Sequence, residues 1–117
     1  MLAAVMTLRL VSPARAEGDV SPGWRQTGVA SFYASFWHGR RTASGERFDN
    51  NELTAAHPWL PFGTRVKVLA EDTGQEVEVT ITDRMPSRHR IIDLSQRAAR
   101  LLGIMRQGTA EVTLVAE

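Results

Sequence analysis

The chain has 117 residues, 43% hydrophobic and 23% charged, which is enough for one domain around one core and too apolar for a disordered polymer. Its formal net charge of +1 gives no electrostatic case for a nucleic-acid partner. The absence of cysteine removes disulfides, thiolate metal sites, cysteine nucleophiles and a lipid-modified N-terminal cysteine. In chain order, residues 1–16 (MLAAVMTLRLVSPARA) form an apolar run ending in Ala14-Arg15-Ala16, an A-x-A cleavage pattern, and are expected to be a secretory signal. Arg9 interrupts the run and no basic segment precedes it, and the run is too short for a membrane-spanning helix. Residues 17–25 carry Pro and Gly and read as a linker, leaving 26–117 as the one folded domain.

Residues 26–37 predict a first strand. Residues 38–51 are polar, contain two glycines and predict a long loop, of a kind more often functional than idle in a small domain. Leu-Thr-Ala-Ala-His (53–57) reads as a short extended piece, with Pro58 holding His57 out of helical geometry. An apolar turn (59–63) leads to an alternating strand at 64–70 and a hairpin loop at 71–75.

The clearest alternation lies at 76–83. Val77, Val79 and Ile81 share one face, and the same period carries Asp83 to the apolar side at the strand's end. A carboxylate there is costly unless it is paired or functional. Arg84 or Arg90, in the basic loop that follows, would supply a purely structural partner. A short strand at 90–93 delivers a second carboxylate, Asp93. Residues 94–102 predict the helix, with Leu94, Ala98, Leu101 and Leu102 as its apolar stripe and Gly103 as its stop. Asp93 or Ser95 can cap it. Asp93 is preferred, because Gln96 three residues later completes a capping-box pattern. Ala110, Val112 and Leu114 alternate as a last strand. Five or six short strands with one helix suggest a small closed β-barrel, with a sandwich open on pattern alone.

The titratable candidates are Glu46, His57, Asp83 and Asp93. Paired carboxyls, or a carboxyl with a histidine, suit glycosidic cleavage, where one group protonates the leaving oxygen and another takes a proton or offsets positive charge at the anomeric carbon. By pattern alone, His57 reads first as a loop histidine satisfied by backbone, and Glu46 as an exposed turn residue. The three histidines (38, 57 and 89) show no ligand spacing, so no metal is expected, and no cofactor. Phe32, Tyr33, Phe36, Trp37, Trp59 and Phe62 cluster near the loops, as core or as platforms for sugar rings.

The series G-R-x-T-A-S-G-E-x-F-D (39–49), L-T-A-A-H (53–57), L-P-F-G-T-x-V-x-V (60–68), D-R-x-P (83–86) and R-I-I-D-L-S (90–95) resembles the RlpA (rare lipoprotein A) family, from about Gly28 to Val115. The resemblance implies a mainly β fold, a small six-stranded double-psi β-barrel with one short helix. It implies a periplasmic lytic transglycosylase acting on peptidoglycan strands stripped of stem peptides. Such an enzyme cleaves the MurNAc–GlcNAc β-1,4 bond with 1,6-anhydro-MurNAc formation. Carried over, the catalytic residues are Asp83 as general acid and then base, His57 to orient it, and Glu46 to position substrate. Tyr33, Arg41, Thr42, Ser44, Arg84 and Asp93 are expected to contact the glycan. The expected partner is the glycan strand, with no nucleic acid. The chain is expected to be monomeric and periplasmic or secreted, without a stable membrane anchor because the lipobox cysteine is missing. Met85 replaces the usual Gly after D-R, Ser87 the usual Phe after the Pro, and Phe32 and Ala34 the usual Trp and Gly of A-S-W-Y-G. Met85 is expected to narrow the cleft or alter the loop turn. The alternative function is a non-catalytic polysaccharide-binding barrel similar to expansins.

Overall fold

Alternating side chains set the strands, and the computed structural model describes residues 20–86 and 88–117. The expected signal (1–16) and Ser87 lie outside these residues. Among the described residues the strands are β1 (Arg25–Phe32), β2 (Thr54–Ala56), β3 (Arg65–Ala70), β4 (Glu76–Asp83), β5 (Arg90–Leu94) and β6 (Ala110–Ala116), with one α-helix, α1 (Gln96–Leu102). They close into a barrel in the order β1-β5-β2-β4-β3-β6. Two pairs are parallel, β1 with β5 and β2 with β4, and the rest are antiparallel. Closure leaves no free sheet edge, which settles the barrel over the sandwich.

The inward set follows the period of two. Val66, Val68, Val79, Ile81, Ile92, Leu94, Val112 and Leu114 are all buried, and α1 adds Ala98, Ala99 and Leu102. Fully burying a side chain of this size contributes roughly 1.5–3 kcal/mol, so these residues dominate the fold's stability.

The structure corrects five expectations. The first strand ends at Phe32, and Ser35–Trp37 is a 3-10 turn. Its start is also earlier than a linker ending at residue 25 implies: Trp24 packs on the core and Gly23 donates to the Ala116 carbonyl at 3.1 Å. The helix begins at Gln96 because Leu94 belongs to β5. Its cap is Ser95, whose Oγ accepts from Ala98 N at 3.2 Å and donates to the Glu52 carbonyl at 2.5 Å. Asp93 is therefore not the cap. Leu101 is 50% exposed, with Ala99 taking the buried place in the stripe. Gly103 ends the helix at φ 77°, as expected of a left-handed cap.

Candidate active site

Register places the acids. Asp83 on β4 and Asp93 on β5 both pair with Ala56 of the strand between them, so their backbones stand two strand spacings apart, roughly 10 Å across the sheet. Ser31 on β1 pairs with Asp93 on its other side and donates to Asp93 Oδ1 at 2.5 Å. Above this row lies a groove of about 480 Å³, lined by Tyr33, Trp37, Asp83, Arg84, Met85 and Asp93 among others.

Asp83 is held by three donors. Oδ1 accepts from the main-chain N–H groups of Ala43 (2.7 Å) and Arg84 (2.9 Å). Oδ2 accepts from the Tyr33 hydroxyl at 2.5 Å. The Ala43 donor is presented by a tight turn. Thr42 Oγ1 donates to the Glu46 carbonyl at 2.9 Å and contacts Ser44 Oγ at 2.8 Å, and Gly45 N donates to the Thr42 carbonyl at 2.9 Å. Gly45 sits at φ 94°, a conformation that L side chains rarely adopt. The polar run 38–51 is thus ordered around a carboxylate forty residues downstream.

Tyr33 is fixed from both ends. Its ring stacks on Phe48 at 4.1 Å between centroids and meets Trp37 edge-on at 6.4 Å, while its carbonyl accepts from Gln96 Nε2 at 3.0 Å. Burial first, then the hydrogen bond to Asp83 and the charges of Asp83 and Asp93, push its phenol above the ordinary value. Tyr33 therefore stays protonated and acts as a donor.

The cations divide. Arg90 pairs with Asp93 at 3.5 Å, and neither it nor the Arg84 guanidinium neutralises the Asp83 carboxylate. Arg84 instead lies over the Phe62 ring, 4.2 Å from its centroid. Met85, 8% exposed, fills part of the groove.

The expected trio of Asp83, His57 and Glu46 does not share this groove. His57 is 0% exposed. Its Nδ1 accepts from Trp59 N and Leu60 N, both at 3.2 Å. That tautomer puts the proton on Nε2, which donates to Gln26 Oε1 at 2.8 Å. Trp24 and Trp59 meet the ring edge-on. Burial, and secondly the nearby charge of Arg84, lower its pKa to about 4. His57 is a fully satisfied core residue whose main-chain N–H donates to the Asp83 carbonyl at 3.2 Å. Glu46 stands exposed at the tip of the 41–47 turn, with no hydrogen bond or ion pair to its carboxylate among the described residues. Of the expected glycan contacts, Tyr33, Arg84 and Asp93 line the groove. Arg41, whose Nη1 donates to the Gly45 carbonyl at 2.6 Å, Thr42 and Ser44 build the turn behind it. The sequence reading missed three partners: Ser31, Gln26 and the Ala43 N–H. Among the described residues no three His, Asp or Glu side chains come together as a metal site.

A closed barrel of parallel and antiparallel strands, with an acid-bearing groove across the strand ends, defines a double-psi β-barrel protein. The chain belongs to the lytic transglycolase family, whose model matches residues 25–114. It is 57% identical over 88 residues to a "probable endolytic peptidoglycan transglycosylase RlpA" of Synechocystis sp., covering 74% of this chain and 27% of that one. It is 48% identical over 90 residues to an "endolytic peptidoglycan transglycosylase RlpA" of Neisseria meningitidis, covering 76% and 38%. The chain thus spans well under half the length of these relatives. Among solved structures, a Streptomyces papain inhibitor aligns with a TM-score of 0.68 at 26% identity, covering 84% of this chain and 98% of that one. A Clavibacter michiganensis expansin in complex with cellohexaose aligns with a TM-score of 0.65 at 18% identity, covering 80% and 50%, a likeness of fold.

Proposed function

We propose that the chain is a lytic transglycosylase that cleaves MurNAc–GlcNAc β-1,4 bonds of peptide-stripped peptidoglycan strands, with Asp83 as the group that moves the proton. The observation that carries this reading is the three-point grip on the Asp83 carboxyl at the groove. Two main-chain donors commit Oδ1, so the transferable proton belongs on Oδ2, beside Tyr33. In the first half of the reaction Oδ2–H protonates the glycosidic oxygen as the bond to the anomeric carbon breaks, and GlcNAc leaves with a free 4-hydroxyl. In the second half the MurNAc C6 hydroxyl attacks that carbon and its proton returns to Oδ2. The carboxyl ends as it began, and no water is consumed. Because the attack is intramolecular, orientation supplies much of the acceleration. Tyr33 positions Asp83 and remains a phenol throughout. Asp93, fixed by Ser31 and Arg90, holds sugar hydroxyls. His57 belongs to the fold behind Asp83: its main-chain N–H donates to the Asp83 carbonyl, and its ring takes no part in the chemistry. The site of action is the cell envelope, periplasmic or secreted, with the protein working as a monomer.

The test is incubation of the chain with peptide-stripped glycan strands and mass spectrometry of the products. Anhydro-ended fragments that disappear with Asp83→Asn support the proposal. Reducing-end products would replace it with hydrolysis. Binding without any products would leave the expansin-like binding barrel in its place.

A further inference from the structure

Arg84 is the one groove cation whose charge has no carboxylate partner among the described residues. The other basic groups that pair are accounted for: Arg90 with Asp93, Arg65 with Glu78, Lys67 with Glu76, and His38 with Asp49. Arg84 follows Asp83 at the end of β4 and lines the groove. Its Nη1 reaches the carbonyls of His57 and Asp83 only at 3.4 Å each, the long end of hydrogen bonding. The guanidinium lies over the Phe62 ring, its central carbon 4.2 Å from the ring centroid, a cation–π contact that favours this placement. A guanidinium keeps its edge donors in a rigid fork, a geometry that matches a carboxylate and is poorly used by neutral hydroxyls.

The groove also carries two carboxylates of its own, Asp83 and Asp93. An anionic ligand would be repelled from it unless a cation without a partner stood among the lining residues. Arg84 is that cation. If the substrate is a peptidoglycan strand, its chemistry names the ligand. The sugars are uncharged except for the lactyl ether on each MurNAc. That group ends in a free carboxylate when no peptide is attached and in an amide when one is.

We infer that Arg84, lying over Phe62, binds the lactyl carboxylate of a MurNAc unit in the groove, and so makes the site selective for strands whose lactyl groups are free. The inference rests on the glycan-cleaving reading and adds the substrate group that sets its specificity.

The experiment compares two substrate pools prepared from the same peptide-stripped strands. One pool is left as it is. In the other, the lactyl carboxyls are converted to methylamides with a carbodiimide and methylamine. Initial rates and KM are measured on both for the full chain, Arg84→Gln and Arg84→Lys, with thermal melting of each variant. The wild-type chain is expected to favour free carboxylates by about 10- to 100-fold in kcat/KM, the range of a hydrogen-bonded charged contact. In Arg84→Gln this preference falls to near one, and Arg84→Lys restores part of it. The main-chain N–H on Asp83 Oδ1 survives both substitutions, so a lost preference reports the guanidinium. A wild-type chain that cleaves both pools equally, or an Arg84→Gln variant that keeps the full preference, overturns the inference while leaving the cleavage reading intact. If neither pool is cleaved, the cleavage reading fails by itself. Binding of the two pools in affinity electrophoresis then decides the inference: a preference for the free-carboxylate pool that Arg84→Gln abolishes upholds it, and equal retardation overturns it.

Discussion

Asp83 and His57 come from two motifs of one pattern, and their main chains are hydrogen-bonded at 3.2 Å, yet they occupy opposite kinds of environment. Asp83 faces a groove, and its three donors leave Oδ2 reachable by a ligand. His57 points into a corner of Trp24, Trp59 and Gln26, with both ring nitrogens occupied and no surface to offer. Neighbouring titratable residues in one family signature thus do different work. One carries the proposed chemistry, and the other completes the hydrogen bonding of the 57–60 turn against which the first is built.

The largest effect belongs to the groove side. Asp83→Asn is expected to lower turnover by about a thousandfold, with a melting temperature close to that of the unmodified chain, because the amide oxygen still accepts from Ala43 and Arg84. Product release measured on stripped strands, beside a thermal melt, checks both halves. Next is the corner. His57→Ala leaves the N–H groups of Trp59 and Leu60 unpaired, at about 1–3 kcal/mol each, and opens a cavity as well. Its melting temperature should fall by roughly 10 °C or more. His57→Asn, which can place an oxygen where Nδ1 stood, should recover part of that loss. Equal stability of all three proteins would show that the corner is not structural.

The same comparison predicts a pH dependence. Folded His57 binds a proton near pH 4 and the unfolded side chain near 6.5. Between those values the unfolded state holds the extra proton. The neutral ring therefore stabilises the fold fully above about pH 6.5, and that contribution is lost as pH falls towards 4. It is on the order of 3 kcal/mol. Urea unfolding at a series of pH values should show the decline in the native chain and a flatter profile in His57→Asn. A smaller effect is expected at Tyr33. Tyr33→Phe removes one donor from Asp83 Oδ2 and should slow turnover about 10- to 100-fold with little change in melting. Smallest of all is Glu46→Gln. An exposed carboxylate with no partner among the described residues should change kcat/KM by less than about threefold, since surface substitutions of this kind are near neutral. A loss as large as that of Asp83→Asn would bring Glu46 back into the chemistry.

Much of this was legible in the residues, for definite reasons. The period of two at Val77, Val79 and Ile81 announced β4, and the same period placed Asp83 at its apolar end, where the structure finds the groove. The motif series specified the barrel, whose parallel β1–β5 and β2–β4 pairings no local pattern encodes. The backbone partners of His57 were legible in the reading of a lone loop histidine, but its burial was not, because that depends on Gln26 and Trp24 more than thirty residues earlier. The grip on Asp83 was only half legible, since one of its donors is the main-chain N–H of Ala43, a residue whose side chain carries no signal. The helix cap misled because Asp93 and Ser95 both fit the pattern. Pairing of β5 with β1 decided it, by extending the strand to Leu94 and turning Asp93 towards Ser31.

The central division is tested most directly by turnover per folded molecule of His57→Asn on peptide-stripped strands, measured well below its melting temperature and beside Asp83→Asn. A value within about threefold of the native chain is predicted, because the ring reaches neither the groove nor the proposed proton. A loss approaching that of Asp83→Asn, in protein shown to be folded, would contradict the assignment of His57 to the fold and return it to the reaction.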